Sequence, residues 1–446
     1  HQASEQEPDE FYVHKPALEL GHDAIIKREL GGAPGHKMCL VDQGGGYLPA
    51  RGHGDRHVFS LSDGEVLALA KLAVTIETHY SKLAGKQRPM DIEWAKDGQT
   101  GELYIVQARP EIVQSRRDNN SMQWYALDEP GWTITAGRSV GNKIISGSAR
   151  VINHPAHMNR LREGEILITR STDESWDAVL HRASAIVTER GGRYGHAARF
   201  ARSRGIPAIV GAADATRLVP NGKTVTLSCR DRDDGFIYDG KLDYSSHKLD
   251  FSRLEKSDTG LELTITNPNH AFDYHNLPVR GVGLVRLEYI IWHNIGVHPR
   301  ALLQVEQTDS SLQREISTAA MAYGGRRNYY VERLAEGIAM VAAAYYPRPV
   351  TVRFSDFKSD EFAALKGGEL FEDNDANPII GFRGASRFLS DEFRESFELE
   401  CMAIRRVREK MGFTNTHVLI PFVRTHDESQ AILELMEKNG LVRGEN

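Results

Sequence analysis

Apolar and polar positions follow one another along this chain in patterns that predict both strands and helices. Short apolar runs bounded by glycine, proline or charged residues predict buried strands, and longer segments with apolar residues at helical spacing predict helices between them. In the last part of the chain such strands and helices alternate, which is typical of βα units around a parallel sheet. The pattern therefore predicts an α/β protein with several domains.

The clearest single unit lies between residues 184 and 211. An apolar run at 185–188 predicts a strand, a loop with Gly191 and Gly192 follows, and a helical pattern runs from His196 to a stop signal at Gly205. Paired glycines let a backbone turn tightly and expose its N–H groups, and a helix N-terminus favours anions. An imidazole at that position can attack a phosphorus centre. The alternative is an ordinary strand–helix turn whose histidine caps the helix or faces solvent.

The first quarter of the chain predicts a mixture of strands, one helix and a hairpin. Strands are predicted at 11–16 and 24–26, and the glycine-rich segment 31–54 is predicted to be a loop. The apolar spacing of 63–80 predicts a helix with Ser62 or Asp63 as its N-cap. Two alternating runs at 90–95 and 103–110, joined around Asp97-Gly98 and Gly101, predict a β-hairpin.

The remainder divides at two polar segments, which predict linkers because they lack clear periodicity. Between them, further strands are predicted at 148–152, 165–168, 223–228 and 235–238, and Asp173, Ser175 and Asp177 are predicted to cap a helix. After the second linker, strand-like runs lie at 281–288, 350–356, 379–384 and 418–422.

Arginine ends or follows several of these last runs. Arg286, Arg353 and Arg383 are therefore expected at one end of a sheet or barrel, where a cluster of guanidinium groups suits a ligand with a phosphate and a carboxylate. For each arginine taken singly, a surface salt bridge is the alternative.

Composition and charge exclude several classes of protein. The length of 446 residues predicts two to four domains, and a net charge of −6 with both signs interspersed argues against a nucleic-acid partner. The three cysteines lie far apart, which fits a reducing cytoplasm and provides no metal–thiolate site. No apolar run approaches a membrane span and the N-terminus has no signal-peptide character. We therefore expect a cytoplasmic protein with no membrane partner.

The segment TERGGRYGHAARFARSRGIPAIVG (188–211) resembles the phosphohistidine signature of the family that contains phosphoenolpyruvate synthase and pyruvate, phosphate dikinase. This resemblance implies that His196 carries a phosphoryl group and that Gly191, Gly192 and Arg193 bind phosphate. Tyr194-Gly195 departs from the family, which usually has Thr-Cys or Thr-Ser there. Because that threonine is a regulatory phosphorylation site in several members, the departure puts this mode of control in doubt.

The hairpin sequence DIEWAKDG…LYIVQARPE resembles the end of the ATP-grasp nucleotide-binding domain in the same family. The resemblance implies that Glu93 and Gln107 face Mg²⁺ and the phosphates of ATP, and that Arg109 contacts the phosphates. The earlier half of that domain has no counterpart in this chain. We therefore expect a C-terminal part of an ATP-grasp domain, and a solvated strand face is the alternative for these polar residues.

The arginine-bearing runs resemble the family's (β/α)8 barrel that binds pyruvate and phosphoenolpyruvate. The matching segments are GVGLVRLEYII, GVHPRAL, RFSDFKSDEF, NPIIGFRGASR and LIPFVRT. The resemblance implies that Arg286, Arg353 and Arg383 bind the substrate's phosphate and carboxylate. The barrel is expected to be incomplete, since the family continues with strands that carry Mg²⁺ ligands and a catalytic cysteine, and Cys401 does not match that cysteine.

Three successive modules, joined by two linkers, thus follow the family's order. The modules are a partial ATP-grasp domain (1–114), a swivelling phosphohistidine domain (133–240) and a partial barrel (261–446), and the linkers are 115–132 and 241–260. The resemblance implies a transferase, a pyruvate, water dikinase of gluconeogenesis that converts ATP, pyruvate and water to phosphoenolpyruvate, AMP and phosphate with Mg²⁺, and a homodimer through the barrel. We expect the chain as given to be a fragment unable to complete both half-reactions. Two alternatives stay open: a phosphocarrier subunit of a split dikinase with another acceptor, and a non-catalytic relative.

Overall fold

The structure is a computed structural model, and it describes residues 8–31, 37–42, 47–52, 57–111, 120–129, 131–193, 195–231, 233–254, 258–373, 377, 379 and 381–444. The chain divides into two compact units. The histidine unit consists mainly of residues 110–254, and the sheet unit consists of residues 9–30, 38–109 and 255–446.

The strands are short. In chain order they are β1 (Glu10–Val13), β2 (Ile25–Glu29), β3 (Lys37–Asp42), β4 (Tyr47–Gly52), β5 (Met90–Lys96), β6 (Leu103–Pro110), β7 (Ser121–Leu127), β8 (Thr133–Val140), β9 (Ile144–Val151), β10 (Ile166–Thr169), β11 (Ala185–Thr188), β12 (Ala208–Val210), β13 (Thr224–Ser228), β14 (Asp234–Asp239), β15 (Tyr244–Asp250), β16 (Glu262–Ile265), β17 (Gly281–Arg286), β18 (Val350–Arg353) and β19 (Thr416–Leu419).

The α-helices vary from single turns to long segments. In chain order they are α1 (Lys15–Glu19), α2 (Asp63–Ala84), α3 (Asp177–Leu180), α4 (His196–Arg204), α5 (Ala215–Leu218), α6 (Ala271–Tyr274), α7 (Leu287–Ile290), α8 (Pro299–Leu303), α9 (Ser310–Met321), α10 (Arg326–Tyr345), α11 (Ser359–Ala363), α12 (Ala385–Leu389), α13 (Arg394–Arg405) and α14 (His426–Lys438).

The histidine unit is built on a closed barrel with the strand order β10-β11-β12-β8-β14-β13-β9. β9, β10, β11 and β12 run parallel to their neighbours in this group, and the other pairings are antiparallel. Alternate residues of the buried strands point to opposite faces. Ile166 and Ile168 accordingly join one apolar cluster, whereas Leu167 joins a second cluster that includes residues of α4.

Two glycines make room inside this barrel. Gly137 and Gly235 are register partners on β8 and β14. A Cβ atom added at Gly235 would lie 2.6 Å from the Cγ1 atom of Ile209, and one added at Gly137 would lie 2.7 Å from the backbone oxygen of Val210. Larger residues at either position would therefore displace β12, the strand that follows α4.

Both segments predicted as linkers contain strands, which is a difference from the sequence prediction. β7 and β15 pair antiparallel along their whole lengths, from Ser121 opposite Asp250 to Leu127 opposite Tyr244. The rings of Trp124 and His247, cross-strand partners, stack with centroids 5.2 Å apart. The pairing joins segments more than a hundred residues apart, so local composition did not predict it. The domain boundaries proposed from the sequence stay predictions.

The sheet unit contains a parallel sheet in the order β16-β17-β18-β19, with helices after its strands. α10 is buried along almost its whole length and packs against α13, β2 and the sheet. Strand β2 pairs with β1, so the start of the described chain is part of this unit's core. The alternating pattern predicted for the last part of the chain is confirmed.

Two local predictions differ from the structure and one is confirmed. The segment 31–54 was predicted to be a loop but holds β3 and β4, which pair with each other. The run at 379–384 was predicted to be a strand, yet its described residues form turns and bends before α12. Ser62 caps α2 through a capping box with Glu65, as predicted for that helix.

A buried ion network joins β2 to α2 and α10. The guanidinium group of Arg28 bonds to Asp63 at 2.7 Å, to Glu336 at 2.8 Å and to Glu332 at 3.3 Å, and its side chain is only 4% exposed. Replacing Arg28 with methionine is expected to lower the free energy of unfolding of the sheet unit by about 3–5 kcal/mol, because the buried Glu336 would keep only its ion pair with Arg333. Urea unfolding measures this change.

Lys15→Met is the matched control for that prediction. Lys15 forms an exposed pair with Glu77 at 2.5 Å, and such a pair contributes at most about 1 kcal/mol. Equal destabilisation by the two substitutions would contradict the role given to the Arg28 network.

Among the described residues, no helix is both long enough and apolar enough to span a membrane.

Candidate functional site

His196 is positioned by the edge of the barrel in the histidine unit. β10 and β11 are parallel neighbours, so the loops that follow them leave the barrel at the same edge. The loop after β11 leads to His196, the first residue of α4, and Gly205 ends that helix with a left-handed φ of 66°. Both limits of the helix agree with the sequence prediction. The N-cap residue Gly195 makes no side-chain cap hydrogen bond to the first turn of α4, and the N–H groups of a helix N-terminus favour an anion.

Both ring nitrogens of His196 have partners in the segment that follows β10 and ends at the start of α3. Nδ1 lies 3.0 Å from Oγ1 of Thr172, and Nε2 lies 3.0 Å from Oδ1 of Asp177. An ionised carboxylate only accepts hydrogen bonds, so this geometry assigns a proton to Nε2. In the neutral ring, Nδ1 then accepts a hydrogen bond from the Thr172 hydroxyl. The His196 side chain is 9% exposed and that of Asp177 is 57% exposed.

The three residues predicted to cap a helix have different positions. Asp173 accepts a hydrogen bond from the backbone N–H of Ser175 and caps the short 3₁₀ helix Glu174–Trp176, as predicted. Asp177 instead faces His196. Sequence reasoning therefore missed Asp177 and Thr172 as neighbours of the histidine. Their positions shortly after β10, a strand parallel to β11, could have indicated that they lie near His196.

The predicted phosphate-binding residues lie in the loop between β11 and α4. Gly191 has a φ of 96°, and the backbone oxygen of Gly192 accepts a hydrogen bond from the N–H of Gly195. The guanidinium group of Arg193 donates to the backbone oxygen of Asp233 at 2.8 Å and to its carboxylate at 3.2 Å. Tyr194, the residue that raised the question of regulation, lies outside the described residues.

The three predicted substrate arginines lie together at one edge of the parallel sheet. Arg286 and Arg353 are register partners at the carboxyl ends of β17 and β18. Arg383, from the loop before α12, is linked to Arg353 through Asp356, which bonds to both guanidinium groups at 2.9 and 3.1 Å. Glu288 also accepts from Arg353, at 2.5 Å. Sequence reasoning missed Asp356 and Glu288 as partners of these arginines.

An aromatic ring supports the same edge from the loop after β19. The guanidinium carbon of Arg383 lies 4.2 Å from the centroid of the Phe422 ring, and that of Arg424 lies 5.5 Å from it. Phe422 has a φ of 50°, an uncommon conformation for an aromatic residue. Arg424 also donates to the backbone oxygen of Gly381 and to Ser386, so it ties this loop to the loop that carries Arg383.

The hairpin formed by β5 and β6 carries the remaining predicted residues. The Nε atom of Arg109 lies 3.6 Å from Oδ2 of Asp91 across the two strands. Because alternate residues of a strand share a face, Glu93 lies on the same face as Asp91, and Gln107 on the same face as Arg109. Glu93, Gln107 and Arg109 are all exposed and share one face of the hairpin.

Three family models match successive parts of the chain. The AMP/ATP-binding domain of pyruvate phosphate dikinase matches residues 3–128, the mobile domain of PEP-utilising enzymes matches 161–232, and their PEP-binding domain matches 246–443. The curated phosphoenolpyruvate synthases of Pseudomonas aeruginosa and Escherichia coli are 46% and 47% identical to this chain over 98% of its length.

The chain belongs to the family of PEP-utilising enzymes. It is a multidomain α/β member of that family. A further relative, the phosphoenolpyruvate synthase of Synechocystis, is 46% identical over 98% of the chain. The chain spans about half the length of these curated relatives, namely 55% of the first two and 54% of the third.

Mg²⁺ is implied for this chain by the resemblance. Mg²⁺ prefers oxygen ligands and keeps several waters beside one or two carboxylates and substrate phosphates. The exposed carboxylate of Glu93 and amide oxygen of Gln107 on one face of the hairpin fit this preference. No group of three or more His, Cys, Asp and Glu side chains within the described residues is arranged to hold a metal ion.

A buried carboxyl group lies beneath the arginine edge of the sheet unit. Glu400 on α13 accepts hydrogen bonds from the backbone N–H of Ser355 at 3.0 Å and from its hydroxyl at 2.5 Å. Burial, together with the nearby charge of Glu288, raises the pKa of Glu400 to about 7 against the lowering effect of the hydrogen bonds from Ser355.

The raised pKa predicts a specific pH dependence of stability. The native carboxyl holds a proton that the unfolded chain has lost, so its stabilising contribution is complete below about pH 4.5 and is lost as the pH rises through about 7. Relative to the Glu400→Gln variant, the wild-type free energy of unfolding should fall over that interval by an amount on the order of 3 kcal/mol. Urea unfolding at pH 5 and pH 8 measures the difference.

Glu398→Gln on the same helix is the control, since that side chain is only half-buried. Parallel pH profiles for wild type and Glu400→Gln would contradict the prediction.

Proposed function

We propose that the full-length protein is a phosphoenolpyruvate synthase, which converts ATP, pyruvate and water to phosphoenolpyruvate, AMP and phosphate through a phosphohistidine at residue 196. The observation that carries the proposal is the place of His196 at the N-terminus of α4, held between Thr172 and Asp177. Its segment lies within the match to the mobile domain, and curated relatives with this activity are 46–47% identical to the chain.

The histidine is the nucleophile of the first half-reaction. A ring nitrogen forms a bond to phosphorus while the bond between that phosphorus and the oxygen of AMP breaks, and water then removes one phosphate. Either nitrogen must first release its present partner, and Asp177 is the more exposed of the two groups. The N–H groups of α4 lie where they stabilise the negative charge of the bound phosphoryl group.

The arginine edge is the acceptor site of the second half-reaction. Arg286, Arg353 and Arg383 bind the carboxylate of pyruvate and the phosphoryl group as it moves from His196 to the enolate oxygen. The likeness of this unit to the PEP-binding domain supports the assignment. The parallel strands β16–β19 belong, in this proposal, to a (β/α)8 barrel through which the protein forms a homodimer.

The hairpin belongs to an ATP-grasp domain, in which Glu93 and Gln107 hold Mg²⁺ and Arg109 contacts the phosphates of ATP. Bound Mg²⁺ neutralises charge on the transferring phosphoryl group. Gly191, Gly192 and Arg193 complete the phosphate contacts of the histidine loop. The same proposal includes the domain limits of 1–114, 133–240 and 261–446, with linkers between them. It also includes a reducing, cytoplasmic setting, which the buried free thiols of Cys229 and Cys401 support.

Phosphoryl labelling of the full-length protein tests the proposal. ATP labelled in its β-phosphate is expected to transfer label to His196, the bond is expected to be labile in acid, and pyruvate is expected to remove the label as phosphoenolpyruvate. Label that another acceptor removes but pyruvate does not would indicate a phosphocarrier for a different substrate. Absence of label would contradict the proposal and favour a non-catalytic relative.

A further inference from the structure

Asp356 occupies a central position among the substrate arginines of the proposed function. It follows β18, and its side chain is only 3% exposed. Its two carboxylate oxygens contact different arginines. Oδ1 accepts a hydrogen bond from Nε of Arg383 at 2.9 Å, and Oδ2 forms an ion pair with Nη1 of Arg353 at 3.1 Å. One buried carboxylate thus joins guanidinium groups from two separate elements of the sheet unit.

The backbone of Asp356 strengthens the same arrangement. Its N–H donates to Oε1 of Glu288 at 2.9 Å, and that oxygen also accepts from Nη2 of Arg353. Its carbonyl oxygen accepts from Nη2 of Arg383 at 3.3 Å. Both side chain and backbone of one residue therefore determine where the two guanidinium groups lie relative to each other.

Two guanidinium groups held close together repel each other, and a negative charge between them offsets this repulsion. Asp356 supplies this charge, and it also offsets part of the positive charge that attracts a substrate anion. We propose that Asp356 is a positioning residue of the phosphoenolpyruvate half-reaction, which orients Arg353 and Arg383 for phosphoryl transfer and does so at some loss of affinity for the substrate anion. This inference rests on the function proposed above.

A positioning role for Asp356 predicts opposite changes in ligand affinity and transfer rate, which a merely structural salt bridge would not produce. Loss of the negative charge should strengthen binding of the phosphoenolpyruvate anion, while loss of the fixed arginine geometry should slow transfer. Ligand affinity and transfer rate are therefore expected to change in opposite senses.

The test uses the full-length protein and two variants. Asp356→Asn is expected to lower the dissociation constant of phosphoenolpyruvate about threefold to tenfold and to slow single-turnover phosphorylation of His196 by phosphoenolpyruvate about 100-fold. Asp356→Glu keeps the charge but moves it by one methylene, so transfer should slow with no gain in affinity. Asp360→Asn, an exposed neighbour on α11, should leave both quantities unchanged.

The outcomes separate the inference from the function on which it rests. If wild-type protein takes no label from phosphoenolpyruvate, the proposed function itself fails. Two outcomes with labelled wild-type protein overturn the inference alone. In the first, Asp356→Asn has the affinity and transfer rate of wild type. In the second, Asp356→Asn loses affinity and transfer rate together while its thermal unfolding is unchanged. If Asp356→Asn does not fold, Asp356→Glu decides: unchanged transfer by that variant overturns the inference, and slowed transfer at unchanged affinity supports it.

Discussion

Replacing His196 with asparagine is expected to abolish pyruvate-dependent formation of AMP by the full-length protein, with a loss of at least about 10⁴-fold in turnover. Asparagine cannot form a stable bond to phosphorus, so both half-reactions of the proposed function lose their shared intermediate. Its amide can still bond to Thr172 or Asp177, the present partners of the ring, so the fold of the loop should be kept. A coupled assay of AMP and phosphoenolpyruvate measures the loss.

His181→Asn provides the matched control, because this exposed histidine lies in the same unit at the end of α3. It should turn over at the wild-type rate. Substantial AMP formation by the His196 variant, with pyruvate consumed in step, would show that the phosphoryl group travels by another route.

Replacing Arg353 with lysine is expected to slow phosphorylation of His196 by phosphoenolpyruvate about 10²–10³-fold while leaving phosphorylation by ATP unchanged. The guanidinium group of Arg353 meets Glu288 and Asp356 with separate nitrogens, and an ammonium group cannot reproduce that fork. Single-turnover labelling with each phosphoryl donor separates the two half-reactions.

Arg314→Lys is the control for a charge-conserving substitution. Arg314 lies on α9, and within the described residues the hydrogen bond seen for its side chain goes to the backbone oxygen of Ser310. Equal loss with both donors after Arg353→Lys would mean that the substitution disturbs the whole protein rather than the acceptor site.

Local sequence signals predicted the elements that carry these residues. The glycine loop and helical spacing predicted α4 from its first residue to its stop at Gly205, and the Asp-Gly turn with alternating flanks predicted the hairpin of β5 and β6. These predictions succeeded because cap, turn and periodic signals act between residues only a few positions apart.

Other elements could not be predicted in this way. β7 and β15 lie in segments without clear periodicity, and each is a strand because it pairs with the other across more than a hundred residues. The run at 379–384 has a strand-like composition, yet the chain there turns to bring Arg383 to Asp356 and Phe422. Tertiary contacts thus overrode local propensity in both directions.

For the candidate functional site, too, local signals predicted some features and tertiary contacts decided others. Sequence placed His196 after a glycine loop and arginines at the ends of buried runs, because these signals lie within single strand–loop–helix segments. Only the tertiary structure decided that Asp177 and Thr172 meet the histidine, and that Asp356 joins Arg353 to Arg383. The physical reason is that parallel strands bring the loops at their carboxyl ends to one edge, so residues far apart in the chain become neighbours through strand order and register, which no local pattern contains.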